Sequence, residues 1–391
     1  MKITSFLLNF ALLISMPAQA EPTDSISSHQ NQSVGKALIK ERVRKGISDQ
    51  EPWVGLVGDS GITGAASSSD IQPNWLNLLS LVSSFALESK MTVQIAHASR
   101  VPHAGQFGLY GDLEPLVRVV YSMEEFEAAR SKGELTKINL EAKASLRLDI
   151  PEYSFGYLTA RAMGVPANRV VLVAQDGKTV STIFRQMKRF GEVSDTLPSH
   201  IFVSYSANDI CGDELNMPLA DFETGFRHTL RQQLDLVTQN LKPHPTLGTR
   251  VIVMAPLDVV QLLTNRDLFN QEIRLEGNQN ATCGDIRLNA DSQSSLQKEM
   301  KKTLKGMCRS ILSIHPSDKS QIARLSLVQD RQISIWKSVL REYQIDGWTF
   351  EFNDRTRRPI FESGDLANDC FHPGPGAHSK IALELLKSLH I

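Results

Sequence analysis

Two short clusters hold the residue types that could do chemistry. Gly58-Asp59-Ser60 directly follows the apolar stretch Trp53-Val54-Gly55-Leu56-Val57, and Asp369-Cys370-Phe371-His372 lies near the C-terminal end. A serine hydroxyl is a poor nucleophile until an imidazole takes its proton, and a carboxylate usually orients that imidazole. All three parts are available here if the two ends of the chain meet in the fold. The chemistry would then be attack of Ser60 on an ester carbonyl, through a covalent acyl intermediate.

Ser60 is expected where a strand turns into a helix. Gly58 and Gly61 flank it and Gly64 follows, which permits a tight turn and close approach of a substrate. The N-terminus of a helix also aims backbone N–H groups at developing negative charge. A Gly-x-Ser-x-Gly elbow is absent, because position 62 is Ile. Taken alone, the serine could be no more than a helix N-cap. Asp369 and His372 sit three apart ahead of Pro373-Gly374-Pro375-Gly376, on one short turn. A turn aspartate and a surface histidine would account for that cluster alone, but not for its match to the other.

The elements that must position these residues alternate along the chain. Apolar runs at Val54–Val57, Val170–Ala174, Ile201–Tyr205, Val251–Met254 and Trp348–Phe352 read as strands. Helical spacing recurs at Trp75–Leu87, Ser181–Phe190, Phe222–Leu241, Ile333–Tyr343 and Ala377–Leu389. Alternating strands and helices predict an α/β/α fold, with a parallel sheet covered on both faces. In such sheets the site lies beyond the carboxyl ends of the strands. Residues 95–150 and 262–300 break the alternation and read as insertions on one domain spanning 51–391.

The chain has 391 residues, 41% hydrophobic, and a formal charge of −1 with acidic and basic residues mixed. That balance argues against a nucleic-acid partner. Residues 1–20 read as a signal peptide: Lys2, an apolar run from Ile3 to Met16, then Ala18-Gln19-Ala20 before Glu21. Residues 21–50 read as a polar, then charged, N-terminal arm. The expectation is a secreted or periplasmic protein without an integral membrane segment in the mature chain. Cys211, Cys283, Cys308 and Cys370 then suggest two disulfides with three possible pairings, or some buried thiols. Joining Cys211 to Cys370 would tie the two chemistry-bearing loops together and leave Cys283 with Cys308. Their wide spacing fits no zinc pattern, so no metal is expected.

Taken in order, Gly58-Asp59-Ser60-x-x-x-Gly64, a glycine loop after the second main strand, Asn208-Asp209 after the third, and Asp369-x-x-His372 resemble the GDSL/SGNH hydrolase family. The resemblance implies a flavodoxin-like parallel sheet and no cofactor. It makes Ser60 the nucleophile, His372 the general base and Asp369 its carboxylate partner. It also implies an oxyanion hole from the N–H groups of Ser60 and Gly177 and the side-chain amide of Asn208. Such donors contribute about 3–4 kcal/mol each to transition-state stabilisation.

Two departures stand out. Position 206 is Ser where the family usually has Gly, and the marker glycine is far from the serine because residues 95–150 intervene. Gly177 is preferred to Gly105 or Gly108 because it follows a clear strand.

Asn208-Asp209-Ile210-Cys211 and Asp369-Cys370-Phe371-His372-Pro373 are most similar to the lipolytic branches, phospholipase-B-like enzymes and acyloxyacyl hydrolase. A lipid or other small ester is therefore the expected substrate. Acyl transfer, deacetylation of carbohydrate, or a non-catalytic binding role on the same scaffold are the alternatives. His97, His103, His228, His244, His315 and His378 read as surface or helix histidines. Asp59 and Asp209 read as braces of their loops. Arg185-Gln186-Met187-Lys188-Arg189 reads as a solvated helix face, or one that meets an anionic head group in a peripheral lipid contact.

Overall fold

Val54–Gly58 (β1) is wholly buried, and its lack of polar side chains suits a strand covered on both faces. In the computed structural model it is the middle of a sheet. The structure describes residues 51–63, 107–108, 118–119, 154–166, 169–175, 177–192, 194–275, 279–288, 308–367 and 369–389. The readings for 1–20, for 21–50, for the helix at Trp75–Leu87 and for most of 95–150 lie outside the described residues.

The strands Phe107–Gly108 (β2), Arg118–Val119 (β3), Val170–Leu172 (β4), His200–Ser204 (β5), Thr249–Met254 (β6) and Trp348–Asn353 (β9) complete that sheet. Its order is β2-β3-β4-β1-β5-β6-β9. The five strands from β4 to β9 are parallel, and β2 and β3 extend the β4 edge in antiparallel fashion. Among the parallel strands the spatial order is second, first, third, fourth, fifth, the doubly wound order expected from the resemblance. Register pairs Leu56 with Leu172 on one side and Gly58 with Ser204 on the other. The order of strands reverses between β1 and β5, so the two loops that leave them open onto one crevice.

Helices cover the sheet in two sets. Leu219–Asn240 (α4) packs on both Ile183–Lys188 (α3) and Lys319–Leu340 (α9), with the Phe226 and Trp336 rings 6.3 Å apart. Phe155–Ala162 (α2) packs on Pro375–Leu389 (α10), with the Phe155 and His378 rings 5.6 Å apart. Ser60–Thr63 (α1) is a single turn after β1. The stretch read as the second insertion forms Gln261–Thr264 (α5), Arg266–Asn270 (α6), the antiparallel pair Glu272–Leu275 (β7) and Gln279–Thr282 (β8), and Cys283–Leu288 (α7). Arg309–Leu312 (α8) follows further on.

Candidate active site

The serine is set by a turn that only glycine allows. Gly58 has φ 147°, and a Cβ there would lie 1.9 Å from the Ser204 carbonyl oxygen. The Asp59 N–H donates to that carbonyl at 3.0 Å, so pairing with β5 runs to the residue before Ser60. Ile62 and Thr63 then donate to the Asp59 carbonyl, and Gly61 donates to Asp59 Oδ1 at 2.9 Å. These bonds leave the Ser60 N–H out of the turn's own pairing.

Asp59 also reaches across the crevice. Its Oδ2 accepts from the Ser206 N–H at 2.7 Å, the Ser206 hydroxyl at 3.1 Å and the Asn208 amide at 3.3 Å. One fully buried carboxyl thus joins the serine turn to the loop after β5. Burial pushes this carboxyl above its ordinary range, while the bonds from Ser206 and Gly61 and the charge of His372 pull it down. Serine in place of glycine at position 206 therefore adds a hydrogen bond to this junction.

Asn208 also donates to the Lys178 carbonyl at 3.3 Å, which brings it beside the loop carrying Gly177. Gly177 has φ 70° and is exposed. Asp209 braces that loop rather than its own: its Oδ1 accepts from Val180 N–H at 3.1 Å. Burial, with the nearby charges of Asp59 and Glu214 adding to it, raises the Asp209 carboxyl to about 8 despite the Val180 bond.

The C-terminal cluster closes on itself. Leu366 and Pro373 form an antiparallel bridge, and the Ala367 N–H donates to the His372 carbonyl at 2.8 Å. Cys370, at φ 61°, bends the chain so that the N–H groups of Phe371 and His372 both donate to Asp369 Oδ1 at 3.0 Å. The other carboxyl oxygen lies 2.5 Å from His372 Nδ1. Burial raises the Asp369 carboxyl, but the His372 charge and these bonds outweigh it and hold the group below its ordinary value. An ionised Asp369 can only accept, so the proton sits on Nδ1 and Nε2 is left as the basic nitrogen.

Ser60, Asn208 and His372 line one cleft, with Ser60 6% and His372 3% exposed. Gly61, Ser206 and Ala207 complete its floor. Leu257, Val259, Leu262, Phe361, Leu366, Phe371 and Pro373 make an apolar wall, and Asp258 is its further charged group. Gly177 is not among the lining residues. No group of three potential metal ligands is gathered among the described residues.

Two readings are corrected. The disulfides are Cys211–Cys308 and Cys283–Cys370, not Cys211–Cys370 and Cys283–Cys308. Cys211 faces the start of α8, where the Ser310 N–H donates to its carbonyl, and Cys370 faces the start of α7. Each loop is therefore anchored to its own neighbouring segment and not to the other loop. The Arg185–Arg189 stretch is only half solvated: Arg185 and Lys188 are exposed, while Gln186, Met187 and Arg189 are buried. His378 lies on α10, a helix histidine as expected. It is fully buried, accepts from the Phe155 N–H at 3.3 Å, and burial, with repulsion from His372 when that ring is protonated adding to it, lowers it to about 3.

Sequence reasoning missed three glutamines, Gln186 and Gln271 buried and Gln261 half-buried, that bond backbone as a peptide group would. Gln271 donates to the Leu366 carbonyl and accepts from Gly364 and Leu366. Gln261 spans Pro359 and Phe361 in the same way. Gln186 does so at Gly58. The polar side chains of these loops gave no signal that distinguishes a stapling amide from a solvated one.

Residues 143–385, more than half of the chain, match the family model GDSL-like Lipase/Acylhydrolase. The match includes Gly177, Asn208, Asp369 and His372, and begins after the Ser60 turn. No curated protein matches the chain.

Proposed function

Because the chain belongs to the GDSL-like lipase/acylhydrolase family, we propose that it hydrolyses carboxylic esters through an acyl-enzyme on Ser60. The observation that carries this reading is the meeting of Ser60, Asn208 and His372 in one cleft, with His372 bonded to an ionised Asp369. His372 Nε2 takes the hydroxyl proton as Ser60 Oγ bonds to the ester carbonyl carbon. The carbonyl oxygen becomes an oxyanion facing the Ser60 N–H, the Gly177 N–H and the Asn208 amide. The bonds of Asn208 to Asp59 and Lys178, 3.3 Å each, hold its amide between the Ser60 turn and the Gly177 loop. The ester C–O bond then breaks and the leaving alkoxide takes the proton from Nε2. Water, deprotonated by the same nitrogen, releases the acid and restores Ser60.

The apolar wall favours an ester with a substantial hydrocarbon part, such as a lysophospholipid-type lipid, over a small acyl group on carbohydrate. Two disulfides support export to an oxidising compartment, and no helix of the described residues is long and apolar enough to cross a membrane. Turnover of chromogenic esters from acetyl to long acyl, and of lysophospholipids, tests the reading. Ser60→Ala should lower kcat by about 10³-fold or more on every accepted ester, the scale of losing a nucleophile. Wild-type turnover in that variant would refute it.

A further inference from the structure

The register of the sheet leaves a gap beside the nucleophile turn. After Leu56 pairs with Leu172, the N–H groups of Val173 and Ala174 both turn to the Leu56 carbonyl, at 2.9 and 3.1 Å. β4 thereby ends short of Gly58, whose carbonyl is met by the Gln175 N–H at 3.1 Å. The Gly58 N–H goes instead to Gln186 Oε1 at 2.8 Å, and Gln186 Nε2 donates back to the Gly58 carbonyl at 2.9 Å. A primary amide offers an acceptor and a donor in one plane, so it replaces the missing strand residue.

The same Nε2 donates to Thr182 Oγ1 at 3.3 Å, and that hydroxyl donates to the Thr179 carbonyl at 2.8 Å. Gln186 thus ties the turn that ends in Ser60 to the loop that carries Gly177. It is fully buried and does not line the cleft.

We propose that Gln186 is a positioning residue that fixes the Ser60 nucleophile relative to the Gly177 loop. The inference rests on the hydrolase reading above. Because Gln186 touches neither cleft nor substrate, its loss should act on the chemical step and not on binding. A misplacement of about 1 Å can cost ~100-fold in rate. Gln186→Met should lower kcat by about 10- to 100-fold, with KM within about twofold, and should slow fluorophosphonate labelling of Ser60 by the same factor.

Gln186→Glu supplies the decisive readout. Protonated, the introduced carboxyl offers Gly58 the same donor and acceptor; ionised, it loses the donor and faces a carbonyl. The titratable and charged groups around it are Asp59 beside Gly58, Tyr205 against Thr182, Asp209 on Val180, and Arg185 and Arg189 on its own helix segment. The ratio of the kcat of this variant to that of wild type should rise as pH falls from 8 to 5. A flat ratio, or a folded Gln186→Met protein with wild-type kcat, would overturn the inference. Should Gln186→Met fail to fold, the pH course of the Gln186→Glu ratio decides alone. Full activity in Gln186→Met with turnover lost in Ser60→Ala would remove this inference and leave the hydrolase standing; activity kept in Ser60→Ala would remove both.

Discussion

Asp59 and Asp209 are both buried carboxyls beside Asn208, and they are held differently. Asp59 accepts four bonds, whereas Asp209 uses Oδ1 for Val180 and its Oδ2 is buried without a hydrogen-bond partner among the described residues. With a folded value of about 8, Asp209 keeps its proton in the native state up to that pH, while the unfolded chain gives it up near 4. Unfolding therefore releases a proton between pH 4 and 8, and this group lowers stability progressively as pH rises through that window. Asp209→Asn keeps the acceptor for Val180 and removes the titration. Its melting temperature should gain on that of wild type from pH 5 to 8; a constant difference across that range would contradict the assignment. At this scale the motif residues were legible because nucleophile, base and carboxylate are chemically distinctive. Gln186 was not, because a glutamine between Arg185 and Met187 looks like any helix-surface amide until the strand gap beside Gly58 is seen.

The elements were readable wherever periodicity was long. The five main strands and the helices at Phe222–Leu241 and Ala377–Leu389 appear within a few residues of their expected bounds. Lys319–Leu340 extends well before the expected Ile333, because Gln329 and Gln332 are buried in its apolar face and mask the pattern. The β7–β8 pair was missed, since Glu272–Leu275 alternates over only four residues and Gln279–Thr282 is almost wholly polar. The disulfide partners were likewise beyond sequence, as they depend on where α7 and α8 dock. Cys283–Cys370 closes 87 residues and Cys211–Cys308 closes 97, a length for which chain entropy alone contributes about 4–5 kcal/mol. Cys370 lies between Asp369 and His372, so its tether also holds the loop that carries His372. Replacing Cys283 and Cys370 together by Ser should cost about 2–5 kcal/mol in denaturant melts and lower kcat well below the melting temperature. Unchanged stability and kcat would show that the bridge positions nothing.

Across the whole molecule, the two ends of the described chain are brought together by topology. β1 lies at the middle of the sheet, α10 packs on α2, and α2 reaches the serine turn through a Ser154 hydroxyl that donates to the Ile62 carbonyl at 2.6 Å. The family match starts after Ser60, yet β1 is paired on both sides with strands inside the matched stretch. The Ser60 turn therefore belongs to the same sheet as the loop of Asn208 and lines the same cleft as His372. The most direct test is to treat the protein with a fluorophosphonate and locate the adduct by peptide mass mapping. The account predicts one adduct per chain, on Ser60, with its formation slowed by His372→Ala. An adduct on another residue, or none from a preparation that turns over esters, would contradict it.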